Sequence, residues 1–246
     1  MRNALPLLLL LLPLHIFGQS TLAVHTSADV GSGAVTTSAI DTTGATLLVI
    51  ETYSIFGPGA VSDSKGNTWT DSAQVGAHNT GAHVFSCNLP CTVGSGHTFT
   101  QAANGSGYPE GIIVLAFTGG RQLSSDWRDV NILTANRTFL NVTSDPPPNT
   151  IATAAWENTT AGVIALTVCV TEQGTGGTST VDSSFAVSDH ITGLTSAWKF
   201  IPAPSTTFDP TWTTPSDALH QGVLLQGFLG SVGSTYVPNF AITLGP

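Results

Sequence analysis

Short apolar or alternating runs, separated at close intervals by glycine, proline, asparagine and aspartate, recur along the chain. Such runs fall at Leu22–His25, Ala34–Ala39, Thr46–Tyr53, Trp69–Val75, Ala82–Cys87, His97–Ala102, Gly111–Phe117, Thr150–Trp156, Gly162–Val170, Phe185–Asp189, Thr195–Phe200, Val223–Leu229 and Asn239–Leu244. LLVIETY and GIIVLAF are apolar at almost every position and predict central strands, whereas AHVFSC alternates as a half-buried strand does. No window of a dozen residues carries a 3.6-residue apolar stripe free of glycine or β-branched interruptions, so helices are not expected. The pattern predicts an all-β fold, an antiparallel two-sheet sandwich of jelly-roll type.

The runs also echo one another. LLVIETY, VSDSKGNTWT, HVF, GHTFT and GIIVLAF follow in the first half; VIALTVCV, VDSSFAVSD, SAWKF, FDPTWTT and HQGVLLQGF follow in the second. Both series read as a long apolar strand, a turn with Asp and Ser, an aromatic strand, a polar-aromatic strand and a closing apolar strand. Two pseudo-repeated halves within a single domain at 20–246 are expected, meeting near the proline run Ser144–Thr150.

The first nineteen residues lie outside this pattern. Arg2, the apolar run Leu7–Leu12 and the small residues Gly18 and Ser20 read as a signal peptide over 1–19, too short and too proline-broken for a stable membrane span. A secreted, cell-surface or periplasmic protein is expected. Past that segment, five basic residues (Lys65, Arg121, Arg128, Arg137, Lys199) face fifteen acidic ones. Without a basic cluster there is nothing to hold phosphates, which sets nucleic acid aside as a partner. Charged residues make up only 9% of the chain, so Thr, Ser, Asn and Gly must cover much of the surface.

Of three cysteines, Cys87 and Cys91 bracket CNLPC and can bridge if the chain turns there, as export permits. A metal pair is the competing use, though zinc sites usually recruit further ligands. Cys169, inside VIALTVCV, reads as a small buried apolar residue.

VSDSKGNTWT at Val61–Thr70 reads as a turn: Lys65–Gly66–Asn67 suits positive φ, and Asp63 can accept backbone N–H groups. With TVGSGHTFT at Thr92–Thr100, SAIDTTGATLLVI at Ser38–Ile50 and GIIVLAFTG at Gly111–Gly119, it resembles a functionally uncharacterised group of bacterial and phage-associated secreted β-sandwich proteins. The resemblance covers about residues 22–240 and is best over Thr37–Gly120. It implies a fold and lends no catalytic residues; Cys91 departs from the group's simpler asparagine-proline turn.

Candidate chemistry is sparse. Glu51 stands within an apolar strand and Glu110 before another, and these are the carboxylates to consider for polysaccharide hydrolysis or lysis, which needs two flanking one bond. His78, His83 and His97 could converge, but the His-x-His pair of a cupin-like metal centre is missing. GSGH at Gly94–His97 lacks the strand-Ser-helix setting of a hydrolase nucleophile. No cofactor is implied, though Asp63 and Asn67 offer oxygen ligands for a structural calcium, as does the turn Asp182–Ser184. Trp127 in SSDWRD and Trp212 in FDPTWTTPSD sit in polar surroundings and are the candidate ligand-binding aromatics. The expected function is a secreted, non-catalytic surface, adhesion or carbohydrate-recognition module, its partner a glycan or cell-surface protein. A carboxylate-dependent polysaccharide hydrolase or lyase is the alternative.

Overall fold

A computed structural model describes residues 19–57, 59–77, 80–87, 91–108, 110–119, 136–141, 149–152, 156–157, 162–172, 179–202, 207–214 and 220–229. All its regular elements are strands, and all pair antiparallel. Among the described residues no helix is long and apolar enough to cross a membrane.

The first lobe holds β1 (Thr21–Val30), β2 (Val35–Thr36), β3 (Leu47–Ile55), β4 (Val61–Asp63), β5 (Trp69–Ala77), β6 (Thr80–Cys87), β7 (Phe99–Gln101) and β8 (Glu110–Thr118). They form a five-stranded sheet in the order β1-β8-β3-β6-β5 and a small sheet β2-β7-β4. The second lobe holds β9 (Asn136–Asn141), β10 (Asn149–Ala152), β11 (Trp156–Glu157), β12 (Val163–Glu172), β13 (Thr180–Val181), β14 (Ala186–Ile191), β15 (Leu194–Ile201), β16 (Thr207–Phe208), β17 (Thr211–Thr214) and β18 (His220–Leu229). Its sheets run β9-β18-β12-β15-β14 and β10-β17-β13, with β11 and β16 as a separate pair. Set β11 and β16 aside, and the second lobe repeats the first strand for strand. The five segments paired by pattern in the sequence occupy equivalent strands.

The expected meeting point near Ser144–Thr150 lies too late. Asn136–Asn141 already forms the edge of the second large sheet, beside β18, so the division precedes residue 136. A six-residue strand with two Asn and an Arg shows little apolar patterning, which is why it was not legible. The run Thr150–Trp156 likewise divides between β10 and β11, which belong to different sheets. Asn239–Leu244 lies outside the described residues.

Period-two alternation on β3, β8 and β12 explains why three apolar layers form. Leu47, Val49, Tyr53, Ile113, Leu115 and Phe117 turn one way and meet Ile164, Leu166, Val168, Val170, Leu194 and Leu224 of the other lobe. Leu48, Ile50, Ile112, Val114 and Ala116 turn the other way, onto Val35 and Phe99 of the first small sheet. Val163, Ala165, Cys169, Val223 and Leu225 do the same toward Trp212 of the second. The two large sheets therefore face each other and are each backed by a small one. Both faces of the central strands are buried, hence their nearly continuous apolar sequences.

Candidate functional site

The turn at Val61–Thr70 is a fastening. Asp63 Oδ1 accepts the backbone N–H groups of Lys65 (2.7 Å) and Asn67 (3.3 Å), and its Oδ2 accepts the Trp69 indole N–H (2.8 Å). Asn67 closes on Thr92 from both ends of its amide, at 2.9 and 2.6 Å, and Lys65 Nζ donates to the Ser95 carbonyl. Behind the turn, buried His97 stacks on Phe99, its Nδ1 2.9 Å from Thr42 Oγ1 and its Nε2 3.4 Å from Asp63 Oδ1, an electrostatic approach without a hydrogen bond. Burial acts to raise the Asp63 carboxyl, but the three donors outweigh it and hold the acid below its ordinary range. Burial pulls the His97 imidazole down, against the opposing pull of Asp63. The oxygens of Asp63 and Asn67, the candidate calcium ligands, serve protein donors in this turn, and the Asp63 side chain is shielded from solvent. Among the described residues no group of three or more His, Cys, Asp or Glu is placed to hold a metal ion.

Glu51 and Glu110 are both buried and point to opposite faces of one sheet. Glu51 shares its face with Val49 and Tyr53 and looks toward the second lobe, where its Oε1 accepts from Ser196 Oγ at 2.9 Å. Among the described residues its Oε2 has no hydrogen-bond partner. Burial above all, with Asp189 nearby, pushes this acid up to about 8 despite the Ser196 bond. Glu110 shares the face of Ile112 and Val114 and accepts from Gln101 Nε2 (3.1 Å) and the Asn104 N–H (2.9 Å). Two carboxylates separated by a sheet cannot flank one glycosidic bond.

The aromatic candidates fare differently. Trp127 lies outside the described residues. Trp212 is fully buried in the second lobe, its indole N–H donated to Thr167 Oγ1 at 3.0 Å, so it offers no ligand platform. Its polar neighbours in sequence are the outward half of an alternating strand, β17, whose burial pattern is intermediate, buried, intermediate, buried. Among the described residues the exposed aromatics are Phe56 and Tyr108, 61% and 48% accessible, their ring centroids 5.6 Å apart at 58°.

This pair is built with care. Phe56 has φ +69°, a left-handed conformation that costs a side-chain-bearing residue roughly 1–2 kcal/mol. Asn104 supports it from beneath: its side-chain amide reaches Ser54 Oγ, the Ile55 carbonyl (2.7 Å) and the Gly57 carbonyl (2.8 Å). Asn104 Oδ1 accepts the Ser106 N–H, and Ser106 Oγ accepts that of Tyr108. Glu110, holding the Asn104 N–H, is thus a structural acid under the same loop. The loops cross so closely at Gly59 that any Cβ there would collide with the Ala102 carbonyl. Phe56 lies beyond the run Thr46–Tyr53 and has no strand signal of its own; the glycine pair in FGPG opposite NGSGY is what marks the crossing.

His83 and His97 do not converge. His83 Nδ1 lies 2.6 Å from Asp71 and its ring stacks on Phe85, while His97 belongs to the Asp63 turn; His78 lies outside the described residues. Cys87 and Cys91 form a disulfide, and Cys169 is buried, its thiol pushed up to about 12 by desolvation. No protein-family model, no curated protein and no solved structure matches this chain.

Proposed function

We propose that the chain is a secreted, non-catalytic recognition module, of surface, adhesion or carbohydrate-binding kind, whose contact surface is the Phe56–Tyr108 loop end of the first lobe. The observation that carries the reading is an exposed aromatic pair, Phe56 of which sits on strained backbone, held by a part-buried polar scaffold around Asn104. Strain kept where a smaller residue would relieve it points to use. The fold itself does not ask for these rings. In the second lobe the corresponding connections, QGTGGT at 173–178 and PSDAL at 215–219, contain no aromatic residue. IFGPGA and AANGSGYP carry no charge, which suits the apolar face of a neutral sugar better than an anionic surface. Export is supported by the apolar leader and by the Cys87–Cys91 bridge.

Each lobe has the strand order of a jelly roll, with β5 and β14 attached to the large sheet through hairpins; we read the chain as a tandem duplication of that unit. The resemblance to secreted β-sandwich proteins accords with this. The hydrolase or lyase alternative loses its best pair, since Glu51 and Glu110 stand on opposite faces.

The test is a glycan array followed by calorimetry on wild type, Phe56→Ala and Tyr108→Ala. Each variant is expected to bind about five- to tenfold more weakly, the loss of one stacking contact of roughly 1–1.5 kcal/mol, with thermal midpoints close to wild type. Equal binding by all three proteins would remove the loop end from the function. Turnover of a polymer would reverse the reading.

A further inference from the structure

The apolar interface between the lobes encloses a buried polar contact. There Glu51 meets Ser196, whose Oγ also lies 2.9 Å from Ser188 Oγ. A β-bulge on β14 sets Ser188 and Asp189 together opposite Ser196, and Asp189 Oδ2 reaches His25 Nδ1 of β1 at 3.1 Å.

The repeat supplies an internal control. β5 carries a bulge at the equivalent place, between Asp71 and Ala73, opposite Val84. By register, Val84 stands where Ser196 does, Ala73 where Asp189 does, and Val168 where Glu51 does. The same architecture is thus satisfied by one valine from each lobe at one pair of equivalent positions, and carries a carboxyl of one lobe and a serine of the other at the matching pair. The fold tolerates the polar set without requiring it.

We propose that Glu51 is a pH-sensitive latch between the lobes: the neutral acid closes the interface, and loss of its proton in alkaline solution loosens it. A fully buried carboxyl with one oxygen unpartnered can be accommodated neutral, while the carboxylate there has one hydroxyl donor and no cation. The surroundings offer no rescue. Val84 of β6 and Ile113 of β8 flank it in the sheet, and Leu166 and Val168 of β12 line the facing sheet. From β14 comes the charge of Asp189, which repels a second anion; His25 of β1 is engaged with Asp189. His83 and Glu110 point to the far face of the first sheet, and Lys199 donates to the Ser183 carbonyl on the far side of the second. The direction follows from burial: the raised acid, at about 8 against an ordinary 4.5, leaves the folded protein holding a proton that the unfolded chain has released.

Urea denaturation of the full chain between about pH 5 and about pH 9, for wild type, Glu51→Gln and Glu51→Val, tests this. The wild-type midpoint is expected to fall as pH rises through that range, while both variants stay nearly level over its upper half. Hydrogen exchange should show β3 and β15 losing protection at high pH in the wild type alone. Glu51→Val copies the apolar solution of the other half, so it keeps the test open if Glu51→Gln folds poorly. A wild-type midpoint that is level, or variants that fall as steeply, would overturn the proposal.

Discussion

At the scale of single residues, the interface between lobes has close approaches where any added side chain must displace a neighbour. Gly193, at φ +80°, lies against the ring of Tyr53 from the other lobe, and a Cβ there would overlap the ring itself. Gly111 leaves space for Ile191 in the reciprocal direction. Gly193→Ala must bear both a positive φ and the displaced tyrosine, and we expect it to lower unfolding free energy by about 2–3 kcal/mol in a urea titration. Loss within a few tenths would mean that Tyr53 can swing aside. Asp63 was readable as a turn acceptor because aspartate ahead of Lys-Gly-Asn has a local chemistry. Glu51 was readable only as an oddity. Its partner Ser196 is 145 residues away, and nothing in either stretch announces the contact.

Among elements, those that bury both faces were the most legible. LLVIETY, GIIVLAF and VIALTVCV became β3, β8 and β12, the central strands of their sheets. The small sheets were harder, since two- and three-residue strands such as β2, β4 and β13 leave no period to detect. Trp212 shows how this misleads: on a four-residue strand amid threonines it resembles a loop aromatic, although the alternation of TWTT puts it inside. Trp212→Ala should cost about 3–5 kcal/mol, seen as a large fall in denaturation midpoint. A mild effect would show that the second small sheet contributes little to its lobe. The Phe56–Tyr108 surface was invisible for the opposite reason, as it depends on two loops 52 residues apart being joined by Asn104.

For the whole molecule, three buried groups shape the response to pH. Asp63, held below its ordinary 3.8, contributes stability that is complete above that value and disappears as pH falls through its native pKa. His97, held below 6.5, is protonated first in the unfolded chain, so stability declines as pH drops under that value. Glu51 works from the other side, subtracting stability between 4.5 and about 8. The protein should therefore be most stable in weakly acidic solution and fall away on both sides. Asp63→Asn is expected to lower stability near neutrality and to flatten the acid limb of a denaturation-versus-pH profile while leaving the alkaline limb unchanged. An acid limb as steep as wild type would place the sensitive group elsewhere.

The contact between Phe117 and Trp198 joins the two lobes edge to face, with ring centroids 5.3 Å apart. An indole so placed gives the molecule its own optical gauge. Any parting of the halves hydrates that ring and should redden its emission, whereas occupancy of the distant loop end should not. A Trp198→Phe variant removes that part of the signal, so that separation of the halves can be told from events at the loop end.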